Sequence, residues 1–80
     1  MWHVYILECG DGSLYTGITD NVQRRFAVHK NGKGGRYTHS RGVKRILYTK
    51  QYKTRGKALK REAEIKSWSR ERKLNLINSN

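Results

Sequence analysis

The stretch VYILECGDGSLYTG, residues 4–17, sets two short apolar runs, each with one tyrosine, on either side of a Gly-Asp-Gly turn. Residues 2–8 (WHVYILE) and 13–19 (SLYTGIT) carry the β-branched and aromatic side chains of strands, and the glycine-bounded aspartate between them marks a hairpin. If the loop is Gly10-Asp11-Gly12 with Gly12 in the left-handed position, Cys9 faces Ser13, Leu7 pairs with Tyr15 and Tyr5 with Gly17. The two tyrosines then share a face as diagonal neighbours, about 7–8 Å apart at the backbone. A two-residue loop would place them on opposite faces, so the turn decides whether the phenols meet.

Outward from the hairpin, residues 21–31 (NVQRRFAVHKN) follow Asp20, a good N-cap, with Gln23 in the capping-box position, and read as a helix of about three turns. The stretch 31–42 (NGKGGRYTHSRG) holds four glycines and no period, which predicts a flexible basic loop. Residues 44–52 read as a third strand, 55–68 as a second long helix, and 69–77 as a short third helix capped by Ser69 with Arg72 in its first turn. The order ββαβα(α) predicts one α+β domain over residues 1–80, a small three-stranded, mostly antiparallel sheet flanked by helices. A chain this short buries only roughly 60% of its unfolded surface, so the core is small. Trp2, Trp68, Tyr48 and Tyr52 are assigned to it or to its edge.

Helical spacing then singles out ionisable residues. Val22, Arg25, Phe26 and His29 fall at i, i+3, i+4 and i+7, so Arg25 and His29 share the inward stripe while Arg24 points elsewhere. In the second helix Ala58, Leu59, Glu62 and Ile65 share one stripe, and Glu64 projects from the far side. Three ionisable groups facing a small core are costly unless paired, hydrated in a cleft or holding an ion. One reading is an Arg25–Glu62 salt bridge with His29 beside it. The other is a cleft where Tyr5, Tyr15, Arg25, His29 and Glu62 converge.

Charge narrows the partner. Lys and Arg total 18 against six acids, a net charge of +12, which suits a polyanion, and nucleic acid before all others. No clean basic face opposes a bulky apolar one, no apolar run approaches a membrane span, and no signal-peptide layout opens the chain, so the expectation is a cytoplasmic protein, with the nucleoid as one location open to it and without a membrane partner. Cys9 is the one cysteine and the three histidines are scattered, which argues against a disulfide or a zinc site. Lys30, Lys33, Arg36, Arg41, Lys44 and Arg45 form either a solvated surface or a phosphate-tracking segment, with Tyr37 and His39 available to stack on bases.

These residues in this order resemble the GIY-YIG nuclease superfamily, and its small single-domain bacterial members in particular. VYI (4–6) stands for the first motif and YTG (15–17) for the second, so that Tyr5, Tyr15 and Gly17 match motif residues. Arg25 matches the arginine ten residues on, His29 the His-or-Tyr position four later, and Glu62, within LKREAEIK, the metal-binding glutamate of the last helix. Asn75 is a match for a late asparagine at a looser offset. Val4 replaces the glycine of the family's name, and Ile18 stands where repair nucleases of the superfamily carry a lysine.

The resemblance implies a GIY-YIG endonuclease-like fold and metal-dependent, structure-selective hydrolysis of phosphodiester bonds, in DNA more than in RNA, with repair or recombination as its setting. It implies one Mg²⁺ or Mn²⁺ on Glu62, weakly held without substrate, and no small-molecule cofactor. Arg25 would grip the scissile phosphate, Tyr15 would act as general base with Tyr5 orienting water or phosphate, and His29 is the alternative proton acceptor or a phosphate contact. With no second DNA-binding domain present, a protein partner would supply targeting. Two other readings stand beside it: a nucleic-acid-binding module without catalysis on the same fold, and a basic protein docking on an acidic protein.

Overall fold

The computed structural model describes residues 1–79 and contains strand β1 (Trp2–Cys9), strand β2 (Leu14–Thr19), helix α1 (Val22–Lys30), helix α2 (Arg36–Arg41), strand β3 (Val43–Tyr52), helix α3 (Arg55–Lys66) and helix α4 (Arg70–Asn78). The fold is α+β, with a three-stranded sheet of order β2-β1-β3, antiparallel throughout.

The hairpin turn is the three-residue kind. Cys9 N–H donates to Ser13 O at 2.8 Å, Gly12 N–H to Cys9 O at 2.9 Å, and Gly12 holds φ of +85°, a conformation that favours glycine. The Asp11 carboxylate accepts from Ser13 N–H and Oγ–H at 3.0 and 2.5 Å, which closes the turn. The register follows, with Tyr5 opposite Gly17 and Leu7 opposite Tyr15. On the other side of β1, Ile6 pairs with Tyr48 but Leu7 with Ile46, and Glu8 pairs with Arg45 but Cys9 with Val43. Leu47 and Lys44 are therefore the extra residues of two bulges, a device that increases local twist.

Strand alternation sends successive side chains of β1 to opposite faces. Val4 and Ile6 pack with Tyr48, Ala58 and Ile65 in the apolar core under α3, and Trp2, Leu14, Ile18, Tyr52, Trp68, Leu76 and Ile77 close its rim. Tyr5 points the other way, toward α1. The sheet thus separates an apolar side from a polar one.

Three local expectations are corrected. The N-cap of α1 is Asn21, not Asp20: its extended backbone lets its side chain accept Arg24 N–H at 2.9 Å, while Asp20 bonds the Arg24 guanidinium at 2.5 Å. The segment 31–42 is not all loop, because residues 36–41 form α2 between Gly35 and Gly42, both at positive φ. Leu59, expected to face inward, is 36% exposed, because the sheet covers only the Ala58–Ile65 line of α3. Ser69 caps α4 as expected, accepting Arg72 N–H at 3.2 Å.

Ile65 is fully buried and joins α3 to the core. Ile65→Ala should destabilise the protein by about 2–5 kcal/mol, lowering its melting temperature by on the order of 10 °C or more. A urea or thermal melt checks this, and a loss below about 1 kcal/mol would mean that α3 does not lock the core.

Candidate active site

The polar face of the sheet gathers a cluster of rings. Tyr5 and Tyr15 lie with ring centroids 6.3 Å apart, and the His29 imidazole stands edge-on to both, 5.8 Å from Tyr5 and 5.2 Å from Tyr15. The Tyr5 hydroxyl is 2.9 Å from His29 Nε2, and His29 Nδ1 is 2.9 Å from Thr38 Oγ1. His29 is 1% exposed and Tyr5 is 3% exposed, whereas Tyr15 is half-buried at the mouth of the cluster.

Two glycines make this packing possible. A Cβ on Gly17 would lie 2.5 Å from the Tyr5 hydroxyl oxygen and 2.7 Å from Cζ, so the Tyr5 ring crosses the neighbouring strand at the one residue without a side chain. A Cβ on Gly34 would lie 2.0 Å from His29 Nδ1, so the loop backbone seals the imidazole. The carbonyl of the same Gly34 accepts from Arg25 Nη2 at 3.3 Å, which fixes a half-buried guanidinium next to the rings.

The salt bridge between Arg25 and Glu62 considered from the sequence does not form. Glu62 pairs instead with Lys66 one turn along α3 at 3.3 Å, with its side chain 16% exposed. Its negative charge adds the smallest of the upward pushes on the Tyr5 hydroxyl. Among the described residues no group of three or more His, Cys, Asp and Glu converges to hold a metal without help. A lone carboxylate nevertheless suits Mg²⁺, which commonly binds one or two carboxylates and completes its shell with water and substrate phosphate.

Around the cluster, Tyr37 lies 5.7 Å from the Tyr15 ring, and the Arg41 guanidinium sits 4.0 Å from the centre of the Tyr37 ring. Arg41 also pairs with Asp11 at 3.1 Å. Lys33, Arg36 and His39 line a separate groove of about 300 Å³ with Gly32 and Gly35, and His39 Nδ1 is held 2.8 Å from the Gly32 carbonyl oxygen. Lys30 is exposed and leans over the Phe26 ring. Asn75 lines another groove with Trp68, Arg72, Leu76 and Ser79. Sequence reasoning missed Thr38 and Gly34; the only signal was the glycine density of the loop, which marks close backbone approach without saying to what.

The electrostatics assign protons. Burial pushes the Tyr5 hydroxyl up from its ordinary value, although Arg25 pulls it down, so the phenol keeps its proton. Burial, then the Arg25 charge, pushes His29 below its ordinary value, so the imidazole is neutral at pH 7. A folded-state value below the unfolded one means that the unfolded chain binds the extra proton first. The contribution of His29 to stability should therefore be complete above about pH 6.5 and fall away as the pH drops below it. Thermal melts from pH 8 to pH 5 should show this decline in wild type and a smaller one in His29→Gln; equal slopes would mean that His29 ionises freely.

The family profile of the GIY-YIG catalytic domain matches residues 1–75. A UPF0213 protein of Staphylococcus saprophyticus is 45% identical over 75 residues, 94% of this chain and 92% of that protein. One of Staphylococcus epidermidis is 49% identical over 74 residues, 92% and 90% of the two chains. The solution NMR structure of a UPF0213 protein from Bacillus halodurans, 43% identical, superposes with a TM-score of 0.65 over 100% of this chain and 86% of that one. With its tyrosines, arginine, histidine and glutamate on the matched fold, the chain belongs to the GIY-YIG family.

Proposed function

We propose that this protein is a metal-dependent endonuclease that hydrolyses phosphodiester bonds in DNA, selecting its substrate by structure rather than by sequence. The observation that carries the reading is the convergence of Tyr5, Tyr15, His29 and Arg25 in one cluster on the polar side of the sheet. Family membership and a net charge of +12 support it.

In this reading Arg25 holds the scissile phosphate, its planar fork suiting phosphate better than a lysine would. Glu62 would hold one Mg²⁺ or Mn²⁺, which supplies positive charge as negative charge gathers on the phosphate oxygens. His29 acts through Tyr5 in this reading, because its Nε2 lies 2.9 Å from the Tyr5 hydroxyl. This reverses the roles expected from sequence: Tyr5 takes the proton of the attacking water while passing its own to His29 Nε2, and Tyr15, nearer solvent, orients the water or phosphate. The hydroxide forms the new P–O bond, and the old one breaks with its electron pair on the leaving oxygen.

Strand tracking falls to α2 and its flanks. Tyr37 offers an aromatic face beside Tyr15, while Lys30, Lys33, Arg36, His39 and Arg41 supply cationic or polar edges. A partner protein that brings the substrate would compensate for the small contact area.

Binding of labelled branched or single-stranded DNA should weaken with salt at a log–log slope of about −3 to −6, and a slope near zero would remove the nucleic-acid reading. Tyr5→Phe should reduce cleavage on the order of 10²-fold and more than Tyr15→Phe does; the reverse order returns the base role to Tyr15.

Glu62→Gln should abolish Mg²⁺- or Mn²⁺-dependent cleavage while leaving DNA affinity and melting temperature near wild type, since the glutamine keeps the packing and the i,i+4 pair it breaks has an exposed lysine as partner. DNA binding without cleavage of any substrate by wild type would leave a binding module in its place.

A further inference from the structure

Thr38 is a polar side chain sealed at 1% exposure, and no motif marks it. Its hydroxyl lies 2.9 Å from His29 Nδ1 and 3.5 Å from the carbonyl oxygen of Gly35. A carbonyl only accepts, so the 3.5 Å contact with Gly35 O needs the Thr38 hydroxyl as donor; with its proton turned there, the oxygen is left to accept a proton from Nδ1 at 2.9 Å. A neutral imidazole carries one N–H, and placing it on Nδ1 leaves a lone pair on Nε2, the atom 2.9 Å from the Tyr5 hydroxyl. Every proton in the chain from Tyr5 to Gly35 then points the same way.

We infer that Thr38 is a positioning residue, which holds His29 as the Nδ1–H tautomer and so keeps Nε2 free to accept the Tyr5 proton. The opposite tautomer would place a hydrogen on Nε2 and turn Tyr5 into an acceptor, blocking the transfer from water through Tyr5 to His29. In the productive arrangement water gives one proton to the Tyr5 oxygen, Tyr5 gives its own to Nε2, and the resulting imidazolium keeps its Nδ1–H on Thr38. The catalytic consequence rests on the nuclease reading above; the tautomer does not.

The frame around Thr38 is built to hold it still. Gly10 N–H donates to the carbonyls of Arg41 and Gly42 at 3.1 and 3.2 Å, tying the end of α2 to the hairpin turn, and a Cβ on Gly10 would lie 2.5 Å from Arg41 O. The Arg41–Asp11 pair adds a second link at the same place. At the start of α2, His39 N–H donates to Gly35 O at 3.0 Å, and Gly34 packs directly on the imidazole. The hairpin that carries Tyr5 therefore also positions the helix that orients the partner of Tyr5.

Long-range ¹H–¹⁵N NMR of the imidazole in the whole protein, without DNA or metal, reads the tautomer directly. Wild type should show Nδ1 protonated and Nε2 bare. Thr38→Val, which keeps the shape and removes the acceptor, should populate the Nε2–H form and lower kcat roughly 10- to 100-fold with KM for DNA unchanged, and Thr38→Ser should restore both. A wild-type His29 protonated at Nε2 overturns the inference even if the valine variant fails to fold, and so does a folded Thr38→Val with unaltered tautomer and kcat. Absence of cleavage by wild type would instead overturn the nuclease reading, with the tautomer still decided by the spectrum.

Discussion

The hydrogen bond between the Tyr5 hydroxyl and His29 Nε2, 2.9 Å long, joins the central strand to α1 and constrains everything around it. Its phenol must cross β2, so residue 17 has to be glycine; its imidazole must be covered, so the loop presents Gly34. The remaining nitrogen needs a buried partner, which requires α2 to deliver Thr38. One bond thus accounts for two glycines, a short helix and the clamp at Gly10 that holds this helix in place. A buried polar group left unpaired would cost on the order of 1–3 kcal/mol, so the chain of partners cannot be interrupted cheaply at any link.

The sheet divides stability from chemistry. Val4, Ile6, Tyr48, Ala58 and Ile65 build the apolar core on one face, and little on that face involves an ionisable group. On the other face Tyr5, His29 and Thr38 occupy space that aliphatic side chains would fill at no cost in desolvation. An 80-residue domain has little stability to spare for ornament. The desolvated polar side chains on this face add less to the fold than aliphatic ones would, which is why the proposed function is placed there.

What could be read from the sequence was what depends on near neighbours. The hairpin register followed from the Gly-Asp-Gly turn, because a period of two residues transmits one local choice along both strands. The inward placement of Arg25 and His29 followed from helical spacing in the same way. Spacing names a face, however, and not a partner: it set Glu62 toward the sheet but did not reveal that Lys66 takes its charge and the Gly34 carbonyl takes Arg25. Helix α2 was hidden because six residues are too few to display a period, and its boundaries are glycines that also signal loop. Thr38 was hidden with it, since an inward threonine between Tyr37 and His39 acquires meaning only when the imidazole it meets is in place.

The arrangement of charge follows from the same geometry. Arg25 is held by a backbone carbonyl rather than by a carboxylate, so its positive charge is not neutralised by its own anchor. That charge helps keep His29 unprotonated and opposes the effect of burial on Tyr5. A carboxylate in the place of Gly34 O would satisfy the guanidinium more strongly but would raise the affinity of His29 for a proton and repel a phosphate. With a neutral anchor, the arginine keeps its full charge to tune the Tyr5–His29 pair and, under the proposed function, to attract a phosphate.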